Sequence, residues 1–263
     1  MSDPAGQNDL EVRGLTLGYP GRAVLRDLSL RMPSGRVTAI LGPNGCGKST
    51  LLRALGRLIV PQGGSVQLGG RDLRGYEPRL LARRLGILPQ APLAPEGITV
   101  ADLVGRGRAP WRGLLSGWST ADREAVARAL AAVHLEDMAE RPISELSGGQ
   151  RQRAWIALAL AQETEILLLD EPTTWLDLPH QIEVLRLFQR LNRERGLTVI
   201  SVLHDLNLAA RHSDHLVLLG RDGLVAEGAP EAVLTPLHLA RAFGLEARVM
   251  PDPVTATPMV VPL

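Results

Sequence analysis

Nine residues, Gly42-Pro43-Asn44-Gly45-Cys46-Gly47-Lys48-Ser49-Thr50, carry the most specific chemistry in the chain. They read G-x-x-x-x-G-K-[ST] and stand between an apolar β-type run at 37–41 and a helical pattern at 51–55, the context a phosphate-binding loop requires. Glycines let backbone N–H groups curl around an anion without Cβ clashes, and the following helix turns its positive end to the same point. Lys48 adds a mobile point charge for β- and γ-phosphates, and the Ser49 hydroxyl offers an oxygen to Mg²⁺. The alternative, a glycine-rich turn that merely joins strand to helix, does not explain why every slot is filled. Lys48 is also the only lysine, the rest of the 29 basic residues being arginine. A planar guanidinium is a poor substitute where a slim ammonium must pass between phosphates.

Other chemistry lies further along. The run 166–169 is wholly apolar and ends in Asp170 and Glu171. Charge at the end of such a strand is costly unless a cation or substrate meets it. Asp170 fits a Mg²⁺ position and Glu171 fits a group that orients and polarises an attacking water. Leu146-Ser147-Gly148-Gly149-Gln150 precedes a helix expected over 151–161; small residues with free N–H groups at a helix start form a second anion site, although Ser-Gly-Gly alone reads equally as a plain N-cap. Of six histidines, His204 ends the apolar strand 198–203, at the edge where α/β sheets place ligands. His134, His180, His212, His215 and His238 read as surface or satisfied structural groups. His212 and His215 are i, i+3 on a possible helix, without a third ligand near in sequence for a metal.

The elements that must position these groups follow from punctuation and period. Residues 12–19 and 23–32 alternate as strands around a Pro20-Gly21 turn. Tyr19 reads equally as a half-buried strand residue or as an aromatic face for a base. Residues 63–70 suggest a hairpin with glycines at each end, and 80–85 a short amphipathic segment with Arg79, Arg83 and Arg84 on a solvated face. The strand 86–89 stops at Gln90, and Ala91-Pro92-Leu93-Ala94-Pro95 breaks the chain. Thr99 begins a helical pattern. Ser119-Thr120 caps another, with Asp122 and Glu124 in its first turn and Val126, Leu130 and Val133 on one face. Residues 91 to about 160 therefore read as a helical insertion in an α/β core, and a further helix is expected from 179 to 195.

Composition narrows the class. Hydrophobic residues at 45% and charged residues at 22% describe a globular chain, and 263 residues suffice for one large domain. A net charge of +1 without a basic run gives no reason to expect nucleic acid. No apolar run approaches the roughly 18–20 residues of a membrane span. The polar start is unlike a signal peptide, and one cysteine suits a reducing compartment.

Taken in order, Gly42 to Thr50, Gln90, Leu146 to Gln150, Ile166 to Glu171, Trp175-Leu176-Asp177 and His204 resemble the nucleotide-binding subunits of ABC transporters across nearly the whole chain. The resemblance implies a P-loop NTPase (RecA-like) α/β core with an antiparallel β subdomain and a helical insertion, the ABC ATPase architecture. It divides one domain into a core (1–90 and 161–240), a helical subdomain (91–160) and a tail (241–263). It implies ATP and Mg²⁺ as ligands: Tyr19 stacking on adenine, Gly42 to Thr50 holding phosphates, Ser49, Gln90 and Asp170 at the metal, and Glu171, His204 and Gln90 catalytic. Ser147, Gly148, Gly149, Gln150 and Asp177 would act across a head-to-tail homodimer. Partners would be integral-membrane permease subunits, contacted near Gln90, and indirectly a substrate-binding protein, with the chain on the cytoplasmic face of the membrane. Gly148 to Trp155, Thr174-Trp175, His180-Gln181, Leu203 to Asn207 and Asp252-Pro253-Val254 with Thr257-Pro258 look like the ferric-siderophore importers; haem and cobalamin importers are close relatives.

Two other classes share parts of this pattern. An ABC-type DNA-repair or chromosome protein would need long coiled coils or zinc modules between its motifs, and the short spacing and single cysteine argue strongly against it. A separate-subunit exporter fits less well. Cys46, at a helix N-terminus, is expected to have a lowered thiol pKa, with reagents inhibiting and ATP protecting; a buried inert thiol is the alternative.

Overall fold

Strands β1 (Leu10–Tyr19) and β2 (Arg22–Met32) pair antiparallel, β3 (Val37–Leu41) runs to the phosphate loop, and α1 (Lys48–Leu55) leaves it. β4 (Gly63–Leu68) and β5 (Arg71–Asp72) return to the first sheet, and α2 (Pro78–Arg84) leads into β6 (Leu85–Leu88). Three helices follow: α3 (Val100–Gly105), α4 (Thr120–Ala132) and α5 (Gly148–Ala161). Then come β7 (Ile166–Asp170), α6 (Leu178–Arg195), β8 (Thr198–Val202), α7 (Leu206–His212), β9 (His215–Gly220) and β10 (Gly223–Gly228). The chain closes with α8 (Pro230–Val233), α9 (Pro236–Phe243) and the hairpin β11 (Ala247–Pro251) and β12 (Pro258–Pro262). The computed structural model describes residues 9–19, 22–90, 94–113, 117–174 and 176–263; the turn expected at Pro20-Gly21, the break at Ala91-Pro92-Leu93, Trp175 and the Tyr19 side chain lie outside what is described.

Beside the two-stranded β11–β12 hairpin, two sheets divide strands β1 to β10. The antiparallel one has the order β2-β1-β4-β5 and the larger one the order β10-β9-β3-β8-β7-β6, in which β9, β3, β8, β7 and β6 are parallel. In β1 the buried residues run Leu10, Val12, then Leu15 and Leu17, so the two-residue period slips by one. A register shift between Val12 and Leu15 absorbs the slip, with Gly14 at φ 55°. The parallel strands are apolar on both faces because both are covered. Ile166 and Leu168 of β7 face the cluster shared with α1 and the antiparallel sheet, while Leu167 and Leu169 face the one shared with α5 and α6. The insertion thus has no separate core: Leu103, Val126, Leu130 and Ile156 join Leu88, Leu169 and Phe188 in one cluster.

Four expectations change here. The helix α5 starts at Gly148, not Arg151, because Ser147 is its N-cap and the motif supplies the first turn. The 63–70 stretch is one strand, β4, whose hairpin partner β5 lies beyond the Gly69-Gly70 turn. Arg79 and Arg83 are half-buried rather than solvated, donating to the carbonyl of Pro110, while Arg84 pairs with Glu165 at 2.9 Å. His212 ends α7 but His215 opens β9, so they share no helix face.

One ionic cluster sits at the root of α5. Arg108 is buried against Asp122 at 3.0 Å and Glu163 at 2.8 Å, and donates to the Ala161 carbonyl. Hydrogen bonds from the Ser119 hydroxyl, helped by Arg108, outweigh burial and hold the Asp122 carboxyl at about 2.

Candidate functional site

The loops after β3, β6, β7 and β8 all open at the carboxyl edge of the parallel strands, the edge at which such sheets bind ligands. The first is the phosphate loop. Gly42 has φ 150°, and a Cβ there would meet the Leu219 carbonyl oxygen at 2.5 Å; Gly47 has φ 104°, and a Cβ would meet the Leu25 side chain at 2.9 Å. Both positions require glycine for backbone and for space. Lys48 is buried, its ammonium donating to the carbonyls of Gly42 (2.8 Å) and Pro43 (3.0 Å). Val24, Asn44, Gly45, Gly47, Lys48, Ser49, Thr50 and Glu171 line a cleft of about 340 Å³. Val24 comes from β2; no motif marks it.

The end of β7 brings two carboxylates to this cleft with different environments. Ser49 Oγ donates to Asp170 Oδ1 at 2.8 Å, while Asp170 Oδ2 is buried and accepts no hydrogen bond. Burial, with the Glu171 charge, pushes the Asp170 carboxyl above its ordinary value despite Ser49. Glu171 sits at φ 55°, a left-handed conformation that costs a non-glycine residue about 1–3 kcal/mol. Its side chain is held on three sides: His204 Nε2 at 2.7 Å, Gln90 Nε2 at 2.8 Å and Thr174 Oγ1 at 3.1 Å. Burial pushes this carboxyl up, but the hydrogen bond and charge of His204, with Thr174 and Gln90, outweigh it and hold it below the ordinary value. Sequence reasoning missed Thr174 as a contact and could not have found the strain at 171. Gln90 meets Glu171 rather than the Ser49–Asp170 pair, so the structure brings Gln90, Glu171 and His204 together as one group.

The turn Ser147–Gln150 lies apart from that group. Ser147 Oγ accepts from the Gln150 N–H (3.2 Å) and Gln150 Oε1 accepts from the Ser147 N–H (3.0 Å), a capping box. Helix geometry leaves the N–H groups of Gly148 and Gly149 without an intrahelical acceptor. Ser147 and Gly148 are exposed, none of the four lines the 340 Å³ cleft, and a Cβ on Gly148 would meet nothing within 4 Å. Asp177 caps α6 through the His180 N–H and ring. Larger clefts of about 610 and 740 Å³ open beside α4 and along α6, away from this chemistry.

Two further expectations are corrected. Cys46 is buried, and burial raises its thiol pKa against the opposing pull of Lys48, so the inert reading replaces the reactive one. His215 is not satisfied: its Nδ1 is buried and makes no hydrogen bond. Among the described residues no three His, Cys, Asp or Glu side chains are placed to hold a metal by themselves, and no helix is long and apolar enough to cross a membrane.

Comparison with known proteins adds independent findings. A family model described as ABC transporter matches residues 25–174. The ferric enterobactin transport ATP-binding protein FepC of Escherichia coli (strain K12) is 51% identical over 249 residues, 95% of this chain and 92% of that protein. A metal-chelate type ABC transporter solved in an inward-facing conformation matches with a TM-score of 0.84 and 30% identity over 98% of both chains. The ATP-binding cassette MJ0796, solved as a dimer bound to ADP and Pi, matches with a TM-score of 0.74 and 28% identity, over 84% of this chain and 98% of that one.

Proposed function

The chain belongs to the ABC transporter family, and from that premise we propose that it is the ATP-hydrolysing subunit of an importer of ferric-siderophore type. The observation that carries the mechanism is Gly148: nothing among the described residues forbids a side chain there, yet the turn it opens is exposed and leaves N–H groups without an intrahelical acceptor. A ligand held by a second copy supplies the reason. Two subunits would pack head to tail, each offering Ser147, Gly148, Gly149 and Gln150 to the terminal phosphate held by the other, with Asp177 reaching across the same interface.

The cleft suits ATP with Mg²⁺. The Ser49 hydroxyl brings an oxygen donor to it, and Asp170 Oδ2 is an orphaned buried acceptor beside that hydroxyl. Mg²⁺ takes one or two protein oxygens and completes its shell with water and phosphate, so Ser49 and Asp170 would suffice to hold it. Bound there, Mg²⁺–ATP supplies the phosphoryl group to be transferred and a cation that offsets its charge. The chain's residues do the rest. Backbone N–H groups of residues 44–50 would hold phosphate oxygens, and Lys48 would exchange its loop carbonyls for β- and γ-oxygens. Glu171, ionised and clamped by His204, Gln90 and Thr174, orients a water and accepts its proton. Gln90 and His204 link Glu171 to the permease contact and to the terminal phosphate.

Residues 91–160 form the helical subdomain of one ABC ATPase domain, with 1–90 and 161–240 as core and 241–263 as tail. Membrane passage resides in separate permease subunits, which place this chain on the cytoplasmic face, and cargo comes to them from a substrate-binding protein. The test uses Glu171→Gln. It is expected to lose about 10²–10⁴-fold in phosphate release while ATP drives it into a dimer on size-exclusion chromatography, and adding Ser147→Ala should lower that dimer fraction. Near-normal turnover of Glu171→Gln, or dimers indifferent to Ser147, would overturn the mechanism. Unchanged ferric-siderophore uptake in cells lacking the chain would overturn the cargo.

A further inference from the structure

The tail beyond α9 has no part in the chemistry above, yet it holds one of the few buried carboxylates. Asp252 is 3% exposed. It organises the turn between β11 and β12 by accepting from the N–H groups of Val254 (2.9 Å) and Thr255 (3.0 Å), and it binds Arg211 Nε at 2.9 Å. One helical turn before Arg211, Asn207 makes a two-way bond to β12: its Oδ1 accepts from the Val260 N–H (2.8 Å) and its Nδ2 donates to the Val260 carbonyl (3.2 Å). Asn207 and Arg211 are i, i+4, so one face of α7 is fastened to the hairpin at two heights.

Just before α7 and its cap Asp205 stands His204. The residue stands between two anchors, β8, which ends at Val202, and α7, whose first turn is capped by Asp205 through the Leu208 N–H. The β8 side is fixed by ladder bonds to β3 and β7. Helix α7 is only seven residues long and has no such ladder. Leu208, Ala209 and Ala210 seat it on the core, and the directional bonds that set its angle there come from Gln189 of α6, bonded to His212 and to the Arg211 carbonyl, and from the tail hairpin. A buried carboxylate paired with arginine is weak support for stability alone, since an apolar pair would serve as well. Its directional bonds instead fix where α7 begins, and so where His204 meets Glu171 at 2.7 Å.

We propose that the β11–β12 hairpin is a brace that positions His204 on Glu171, with Asn207, Arg211 and Asp252 as positioning residues. The inference rests on the catalytic roles of His204 and Glu171 given above. A hairpin that only sealed the apolar cluster around Val260 and Ala247 would change stability and leave turnover per folded molecule alone.

The test is steady-state ATP hydrolysis by the full chain at a temperature well below each variant's melting point. Asn207→Ala and Arg211→Ala are expected to lower kcat about tenfold, as small misplacements of catalytic groups do, with KM for ATP within twofold of the parent. Arg211→Lys, which keeps one charged bond to Asp252, should recover most of the loss. Added to His204→Ala, Asn207→Ala should cost nothing further, because residues acting through one group are not additive. Unchanged kcat in both single variants, an equal fold-loss in both backgrounds, or KM rising in step with falling kcat would each overturn the brace. If His204→Ala itself left kcat unaltered, the catalytic assignment of His204 would fail instead, so the two failures are distinguishable.

Discussion

The phosphate loop and the Ser147–Gln150 turn are both glycine-rich starts of helices, and they differ in where their constraints come from. Around Gly42 and Gly47 the chain itself leaves no room: the Leu219 carbonyl and the Leu25 side chain occupy the space a Cβ would need. Around Gly148 there is open space, and the local capping box is already satisfied. The first is a finished cradle, complete within one molecule. The second is well formed as a helix start but unexplained as a glycine until another body is brought to it. Internal crowding accounts for the glycines of the first, and nothing among the described residues accounts for Gly148 in the second.

Substitution can break that contrast. Gly148→Leu should leave thermal stability and nucleotide affinity of the monomer close to the parent's while lowering turnover about 10²–10³-fold, the range for losing one transition-state donor. Binding titrations beside phosphate release check this, and normal turnover would erase the distinction. Asp122→Asn tests the root of α5 instead. Leaving Arg108 with a lost partner is expected to cost about 3 kcal/mol in denaturant unfolding at pH 7. The folded carboxyl sits at about 2, below the roughly 3.9 of an unfolded aspartate. Its contribution is therefore full above about pH 4 and disappears as pH falls through about 2, so the two proteins should converge in acid. Gly42→Ala should cost about 1–3 kcal/mol through overpacking at a positive φ, whereas Gly148→Ala should stay within about 0.5 kcal/mol; equal losses would contradict the crowding argument. Smallest is Cys46: buried and with a raised thiol pKa, it should react slowly with thiol reagents in the folded protein, and at the same rate with or without saturating ATP.

Legibility followed the range of the interactions. The phosphate loop, the two carboxylates after β7 and the capped helix α4 depend on neighbours a few residues away, and their spacing was enough to read them. The sequence places the start of α5 three residues late, because Ser147 has the character of a loop residue and only its hydroxyl accepting the Gln150 N–H makes it the cap. Arg79 and Arg83 looked like a solvated face because nothing local reveals that the carbonyl of Pro110, some thirty residues on, receives them. For Cys46 the sequence leaves a reactive and a buried thiol open, because the helix end is a local effect while burial among β2, α1 and the sheet, the larger one, is not legible locally.

By itself the sequence determined which groups this protein has for phosphate chemistry, because glycine, lysine, serine and carboxylates do their work through short chemical reach and fixed local spacing. The folded arrangement sets how they are poised. It placed Gln90, Thr174 and His204 around one carboxylate held in a strained turn. It left Asp170 with a free buried oxygen and drew a remote tail onto the helix that follows His204. Those outcomes depend on contacts between residues distant in the chain, and on the desolvation that only a closed core imposes.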